Sequence, residues 1–289
     1  MIKRLKDIWK IKRGEAVWLV GAGGKTGTLN RLARDFSYHQ VVYTSTTALL
    51  RPAGLPHSLA VCSSRAEFFS VLASYRRRQT TEILVPAVRK VSRWPGDKKK
   101  AKIKGLPVEW ITSAVQRFPE LVFLVEADGA GNRSCKAPAE WEPVLPANPE
   151  TLLLVQGLSG AGKPISSRIC HRAGIISSGT GSRYLNLRVY RELFTGRQWY
   201  GENLEAAGRV YLLLSQATRN RQKLAAELVA ELIKEIDRKE DSRLSSVKGI
   251  TVIDYCTVLE WLYHLEIRKD GCRWLKLNFK SKRISARGC

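Results

Sequence analysis

The sequence predicts a doubly wound α/β fold, built on a mostly parallel sheet and followed by a basic C-terminal extension. Two observations carry that prediction. Short runs rich in Val, Leu and Ile recur without alternating with polar residues, as in strands buried on both faces. Between them lie stretches with helical spacing of apolar residues, and strands that alternate with helices imply a parallel sheet covered on both sides. The 289 residues can bury a sizeable core as one large domain or two smaller ones, and a hydrophobic content of 44% argues against disorder for most of the chain.

In chain order, residues 1–13 read as a basic lead, 14–237 as the α/β domain and 238–289 as the basic extension, whose packing the sequence leaves open. Strands are expected at 16–20, 40–44, 82–86, 121–126, 151–155 and 209–214. Helices are expected at 26–36, at 65–78 with Phe68, Phe69, Val71, Leu72 and Tyr75 on one face, and at 220–236. The segment 91–105, with Pro95, Gly96 and Lys98-Lys99-Lys100, reads as an exposed loop, and 157–181 reads as a polar insertion rich in Gly and Ser. Residues 250–254 are a candidate for one more strand in the extension.

Lys and Arg number 49 against 26 Asp and Glu, a net charge of +23 that favours anionic partners. The excess is concentrated at 76–104, with eleven basic residues and two acids, and at 268–289, with eight and one. Such runs suit phosphate backbones or anionic lipid, or are a solvated surface with no dedicated ligand. Cysteines at 62, 135, 170, 256, 272 and 289 show neither a C-x-x-C pair nor zinc-ligand spacing, which fits a reduced cytosol. With no secretory pattern and no apolar run of membrane-spanning length, a cytoplasmic protein without a membrane span is expected.

The chemistry concentrates at Gly21-Ala22-Gly23-Gly24-Lys25-Thr26, where the first strand is expected to end and the first helix to begin. A glycine loop there turns backbone N–H groups toward an anion at the positive end of a helix. Gly21, Gly23 and Gly24 suit that cradle, Lys25 would reach the β and γ phosphates of a nucleotide, and Thr26 would coordinate Mg²⁺. The first glycine of the full eight-residue phosphate loop would fall on Leu19, so this is a shortened form, similar to the loops of Mur ligases and folylpolyglutamate synthetases. A fold of the P-loop NTPase type, binding ATP or GTP with Mg²⁺, is the expectation; a plain tight turn is the alternative.

A second element is Glu126-Ala127-Asp128-Gly129, at the carboxyl end of the expected strand 121–126. Carboxylates there sit beside a phosphate loop in this architecture. Glu126 and Asp128 share a face if the strand persists that far. Asp128 is favoured for the metal and Glu126 for activating water, the reverse assignment staying open, as does a turn-capping role for one of them. A third element is Thr44-Ser45-Thr46-Thr47, whose hydroxyls, Thr44 and Thr46 among them, either bond phosphate oxygens and the metal's waters or cap a helix. A fourth is Lys136-Ala137-Pro138-Ala139-Glu140, in which Lys136 and Glu140 either order over a nucleotide or anionic substrate, or form a surface ion pair. Cys135 beside it reads as a packing cysteine, or as a thiol for selenium transfer.

The stretches 19–26, 102–106, 125–130 and 136–146 together resemble the selenium-dependent hydroxylase accessory proteins, often called YqeC-like, over about 14–237. That resemblance implies a cytosolic nucleotide-binding protein that helps mature molybdenum hydroxylases carrying a labile selenium, with Gly21, Gly23, Gly24, Lys25 and Thr26 on the nucleotide. Glu126, Asp128, Lys136 and Glu140 fall within the family's signature. The chain departs from the pattern at Ser45 and Ala48, where relatives continue a threonine run into a lysine, and at Ser215-Gln216-Ala217-Thr218, where relatives tend to carry a guanine-reading segment.

Three functions follow as expectations. The first is a Mg²⁺-dependent ATP- or GTP-binding and hydrolysing accessory factor, with Lys25, Glu126 and Asp128 as the catalytic set and a molybdenum hydroxylase or its cofactor-insertion machinery as partner. The second is a ligase or kinase acting on a small acid. The third is a module binding nucleic acid or an acidic partner through the basic segments, whose binding would weaken with salt.

Overall fold

The computed structural model describes residues 4–52, 54–78, 80–91, 102–237, 242–255, 261–268 and 271–278. The first half runs α1 (Leu5–Ile8), β1 (Ala16–Gly21), α2 (Lys25–Asp35), β2 (Val41–Ser45), β3 (Ala48–Leu50), β4 (His57–Val61), α3 (Arg65–Arg76), β5 (Ile83–Ala87), β6 (Arg89–Val91), β7 (Lys102–Lys104), α4 (Val108–Arg117) and β8 (Val122–Glu126). The second runs β9 (Cys135–Lys136), β10 (Thr151–Gly157), β11 (Cys170–His171), α5 (Ala173–Thr180), α6 (Leu187–Thr195), α7 (Glu202–Ala206), β12 (Arg209–Ser215), α8 (Gln222–Asp237), β13 (Val247–Ile253), β14 (Trp261–Arg268) and β15 (Gly271–Asn278).

The apolar runs pair into a ten-stranded sheet in the order β15-β14-β13-β12-β10-β1-β8-β2-β5-β4. From β4 to β13 every pairing is parallel, and β14 and β15 add an antiparallel edge. This is the mixed α/β, mostly parallel architecture that the alternating runs predict. All six expected strands lie in it, with ends shifted by a residue or two.

Strand periodicity divides the interior in two. From β1, Trp18 and Val20 enter one core, where α3, α4, α6 and α8 contribute Leu72, Ile111, Leu193 and Leu228. Val17 and Leu19 enter the other, with Leu29 and Phe36 of the α2 region and Leu5 and Trp9 from the chain's beginning. Residues 4–11 are thus more than a charged lead: Leu5, Ile8, Trp9 and Ile11 are buried. Trp9 donates its indole N–H to Thr251 on β13 (3.0 Å), and Thr251 bonds His264 on β14 (2.9 Å). The beginning of the chain and the last strands are therefore tied across one face.

The polar insertion 157–181 carries β11 and α5, and β11 pairs in parallel with β9. The expected loop 91–105 begins and ends in strand: β3, β7 and β6 make a small antiparallel sheet. Lys98-Lys99-Lys100, and the part of the basic tail beyond Asn278, lie outside the described residues.

Candidate functional site

β1 lies between β8 and β10, and the chain leaves it through α2 to reach β2 on the far side of β8. At such a switch point the loops at the carboxyl ends diverge and leave a crevice. Here the crevice is a cleft of about 500 Å³, bordered by residues 23–27, Thr47, Lys102, Glu126, residues 129–133, Glu142 and Gln216.

The β1–α2 turn is built on backbone that side chains would block. Gly21 and Gly23 have φ of +92° and +76°, where only glycine sits without strain. A Cβ on Gly21 would strike the Val155 carbonyl, and one on Gly23 the Ser134 carbonyl. Both glycines thus let the turn pack onto β10 and the segment before β9. Ser215 at the end of β12 donates its hydroxyl to the Gly23 carbonyl. Helix α2 starts from Gly24 with no side-chain cap, so its first amides are left to the cleft.

Lys25 does not extend into the cleft. Its ammonium donates to the carbonyls of Gly21 (2.7 Å) and Asp128 (2.6 Å) and to the Asp128 carboxylate, with Glu126 at 3.5 Å. Asp128 is fully buried, and its second oxygen accepts the Gly21 N–H (2.9 Å), faces Lys136 (3.1 Å) and receives the Tyr200 hydroxyl (3.4 Å). Lys136, also fully buried, continues to the Gly129 carbonyl (2.6 Å) and to Glu142 (2.8 Å), which Arg172 also holds. Cations and anions thus alternate from the glycine turn through the interior to Arg172.

The protonation tendencies follow from that order. Burial alone would push the Asp128 carboxyl up, but the charges of Lys25 and Lys136 outweigh it and hold Asp128 below the ordinary carboxylate range. For Glu126 burial prevails over Lys25, and its carboxyl is raised. Burial also opposes the charge on Lys25, yet Asp128 and Glu126 keep that ammonium above its ordinary value. Lys136 goes the other way, lowered chiefly by burial.

The expected residues are therefore distributed between cleft and interior. Gly23, Gly24, Lys25, Thr26 and Glu126 border the cleft, whereas Asp128 lies behind Lys25. Strand β8 ends at Glu126, so a shared strand face does not bring the two acids together; Lys25 does. Three side chains expected on phosphate have partners within the protein. Thr44 is buried and donates to the Pro86 carbonyl (2.9 Å), and Thr46 donates to the Val144 carbonyl (2.9 Å), because each hydroxyl satisfies a neighbouring segment's backbone. Thr47 is the member of that run that borders the cleft. Lys136 points inward, and its carboxylates are Asp128 and Glu142, while Glu140 is exposed. Sequence reasoning overlooked Glu142, Arg172 and Tyr200, whose positions in irregular or insertion segments carry no periodic signal.

Among the described residues no group of three or more His, Cys, Asp or Glu is arranged to hold a metal ion, and no helix is long and apolar enough to cross a membrane.

The family described as "YqeC protein" matches residues 17–174, from β1 through the cleft-forming loops. A relative from Escherichia coli (strain K12), described as "Uncharacterized protein YqeC", is 30% identical over 189 residues. The alignment covers 61% of this chain and 64% of the relative, so the chain spans a little under two thirds of that protein's length. No solved structure matches the chain.

Proposed function

The chain belongs to the YqeC family, and from that membership and the geometry around Lys25 we propose a Mg²⁺-dependent protein that binds and hydrolyses ATP or GTP. The observation that carries this reading is the open glycine turn at the head of α2, with Lys25 held between the Asp128 and Glu126 carboxylates at the edge of a cleft of about 500 Å³. A strand-to-helix turn with free amides and an adjacent ammonium is a chemistry for phosphate oxygens.

The donor set fits a triphosphate with its metal on one condition. Thr26 and Glu126 border the cleft, but both oxygens of Asp128 are engaged by Lys25, Lys136 and the Gly21 N–H. Thr26 and Asp128 would hold Mg²⁺ once Lys25 exchanges Asp128 for phosphate. The metal supplies charge neutralisation on the phosphate oxygens. Lys25 adds a second positive centre there, and Glu126, raised by its burial, is suited to take a proton from an attacking water. Gln216 is the member of the stretch 215–218 that borders the cleft, and it is the side chain we propose to meet the base.

We propose further that this hydrolysis serves the maturation of selenium-dependent molybdenum hydroxylases, the role that the resemblance of the motifs 19–26, 125–130 and 136–146 implies. The test is direct binding of ATP and GTP with Mg²⁺ by calorimetry, comparing wild type with Thr26→Ala and Lys25→Ala, each first shown to be folded by circular dichroism. Wild type is expected to bind at least one triphosphate, and loss of the Lys25 charge to weaken it by about tenfold or more. A folded wild type that binds neither, or a folded Lys25→Ala that binds equally well, overturns the reading.

A further inference from the structure

We propose that Cys135 and Cys170 form a redox-modification site, closing to an intramolecular disulfide that staples one wall of the cleft to the segment that carries β11. The two cysteines are register partners in the β9–β11 pair, with their sulfurs 3.2 Å apart. Both are buried free thiols. Neighbouring strands bring Cα atoms to about 4.8 Å, inside the span of about 4.4–6.8 Å that a disulfide bridges. Closure to a bond of about 2.05 Å therefore asks for side-chain rotation and no backbone shift.

The two sulfurs are not equivalent. Cys135 donates its thiol hydrogen toward Cys170, which favours the thiolate on Cys170 and disfavours it on Cys135. Cys170 also follows the exposed residues Ser167 and Arg168 closely in the chain, whereas the neighbours of Cys135, Ser134 and Lys136, are both buried. Cys170 is accordingly the attacking sulfur and Cys135 the resolving one.

With a small disulfide as oxidant, the Cys170 thiolate attacks one reagent sulfur, the reagent's S–S bond breaks, and one reagent thiolate leaves. Cys135 gives its proton to that thiolate and attacks the Cys170 sulfur, expelling the second reagent thiolate, which takes up the proton given up by Cys170. The protein loses two protons and two electrons, and the reagent gains them as two thiols. The product links positions 35 residues apart. It fixes residues 129–133, which border the cleft, and Lys136, which follows Cys135 into the buried charge network. Nothing in this depends on what the cleft binds.

The test uses the full chain, treated with oxidised glutathione or with diamide, whose N=N bond accepts the same two electrons and two protons. After blocking and tryptic cleavage without reductant, the expected product is Ser134–Lys136 joined to Ile169–Arg172, cut after Arg133, Lys136, Arg168 and Arg172. Reductant should separate the two peptides, and Cys135→Ser and Cys170→Ser should each abolish the product. The oxidised chain should melt on the order of 5 °C higher and exchange backbone hydrogens more slowly over 129–136. If both peptides are still alkylated as free thiols after either oxidant and subsequent unfolding, or if disulfides form only through other cysteines or remain mixed with the reagent, the proposal falls.

Discussion

At the carboxyl end of the sheet Lys25, Asp128 and Lys136 are sealed from water, while at the amino end Lys10, Glu266 and Arg268 lie near the surface, with Lys10 side chain 63% exposed. Both clusters consist of short ion pairs, yet they carry different weight. A charge removed from water is costly unless every partner is in place, so the interior cluster behaves as one unit whose members cannot be removed singly. Pairs near the surface exchange with solvent and with salt, and each contributes little. The lesson is that the interior cluster marks a place where stability has been risked for arrangement, which is where a site that must present a lysine and two carboxylates is expected.

The sharpest way to break this contrast is Lys136→Met, close in size and without charge. It leaves Asp128 and Glu142 without their shared ammonium inside the protein, and should cost about 3–5 kcal/mol in urea unfolding. A loss below about 1 kcal/mol would mean that water reaches this cluster and that the two ends do not differ in kind.

The two acids at Lys25 sharpen it further, because their shifts have opposite signs. Asp128 is held below its ordinary value of 3.8, so its contribution is present above that pH and is lost as pH falls through the depressed value. Asp128→Asn should therefore lose about 2–3 kcal/mol at neutral pH, with the difference from wild type shrinking below about pH 4. Glu126 is raised above 4.5, so its protonated form is the one the fold favours; that contribution is present below 4.5 and is lost as pH rises through the raised value. Glu126→Gln mimics the favoured form and should be neutral or stabilising by up to about 1 kcal/mol at pH 7. Thermal melts of both variants from pH 3 to 8 check the pair of signs, and equal losses at pH 7 would contradict them.

The same two regions explain what could be read from the amino acids. Runs such as 121–126 and 209–214 announce buried parallel strands because both faces are apolar, and the Gly-Lys-Thr turn announces itself because few backbones need glycine at those points. β4 offered no such run: His57-Ser58-Leu59-Ala60-Val61 is a half-buried edge, which only its pairing with β5 reveals. Leu5, Trp9 and Ile11 were masked by Lys6, Asp7 and Lys10 between them and by Arg4 and Arg13 on either side. Within the site, residue types were legible but directions were not. Thr44 and Thr46 hydroxyls meet carbonyls rather than the cleft, and Lys136 meets Glu142 rather than Glu140. A Pro-stiffened loop has no period from which to phase a side chain.

The smallest expected effect is at the amino end. Glu266 accepts hydrogen bonds from Lys10 (2.6 Å) and Arg268 (2.7 Å), which hold its carboxyl down to about 2. A depressed carboxylate contributes above its ordinary 4.5 and loses that contribution as pH falls toward 2. Because Lys10 is largely in water, screening limits what the pair adds, and Glu266→Gln should cost less than about 1 kcal/mol at pH 7. The cost should shrink in about 1 M salt, where the Debye length falls to about 3 Å and exposed charges are screened most strongly. Lys136→Met, measured in the same salt series, should keep most of its loss because Lys136 and Asp128 are fully buried. Should the Glu266 variant lose several kcal/mol, or keep its loss in salt, burial would not be what separates the two ends of the sheet.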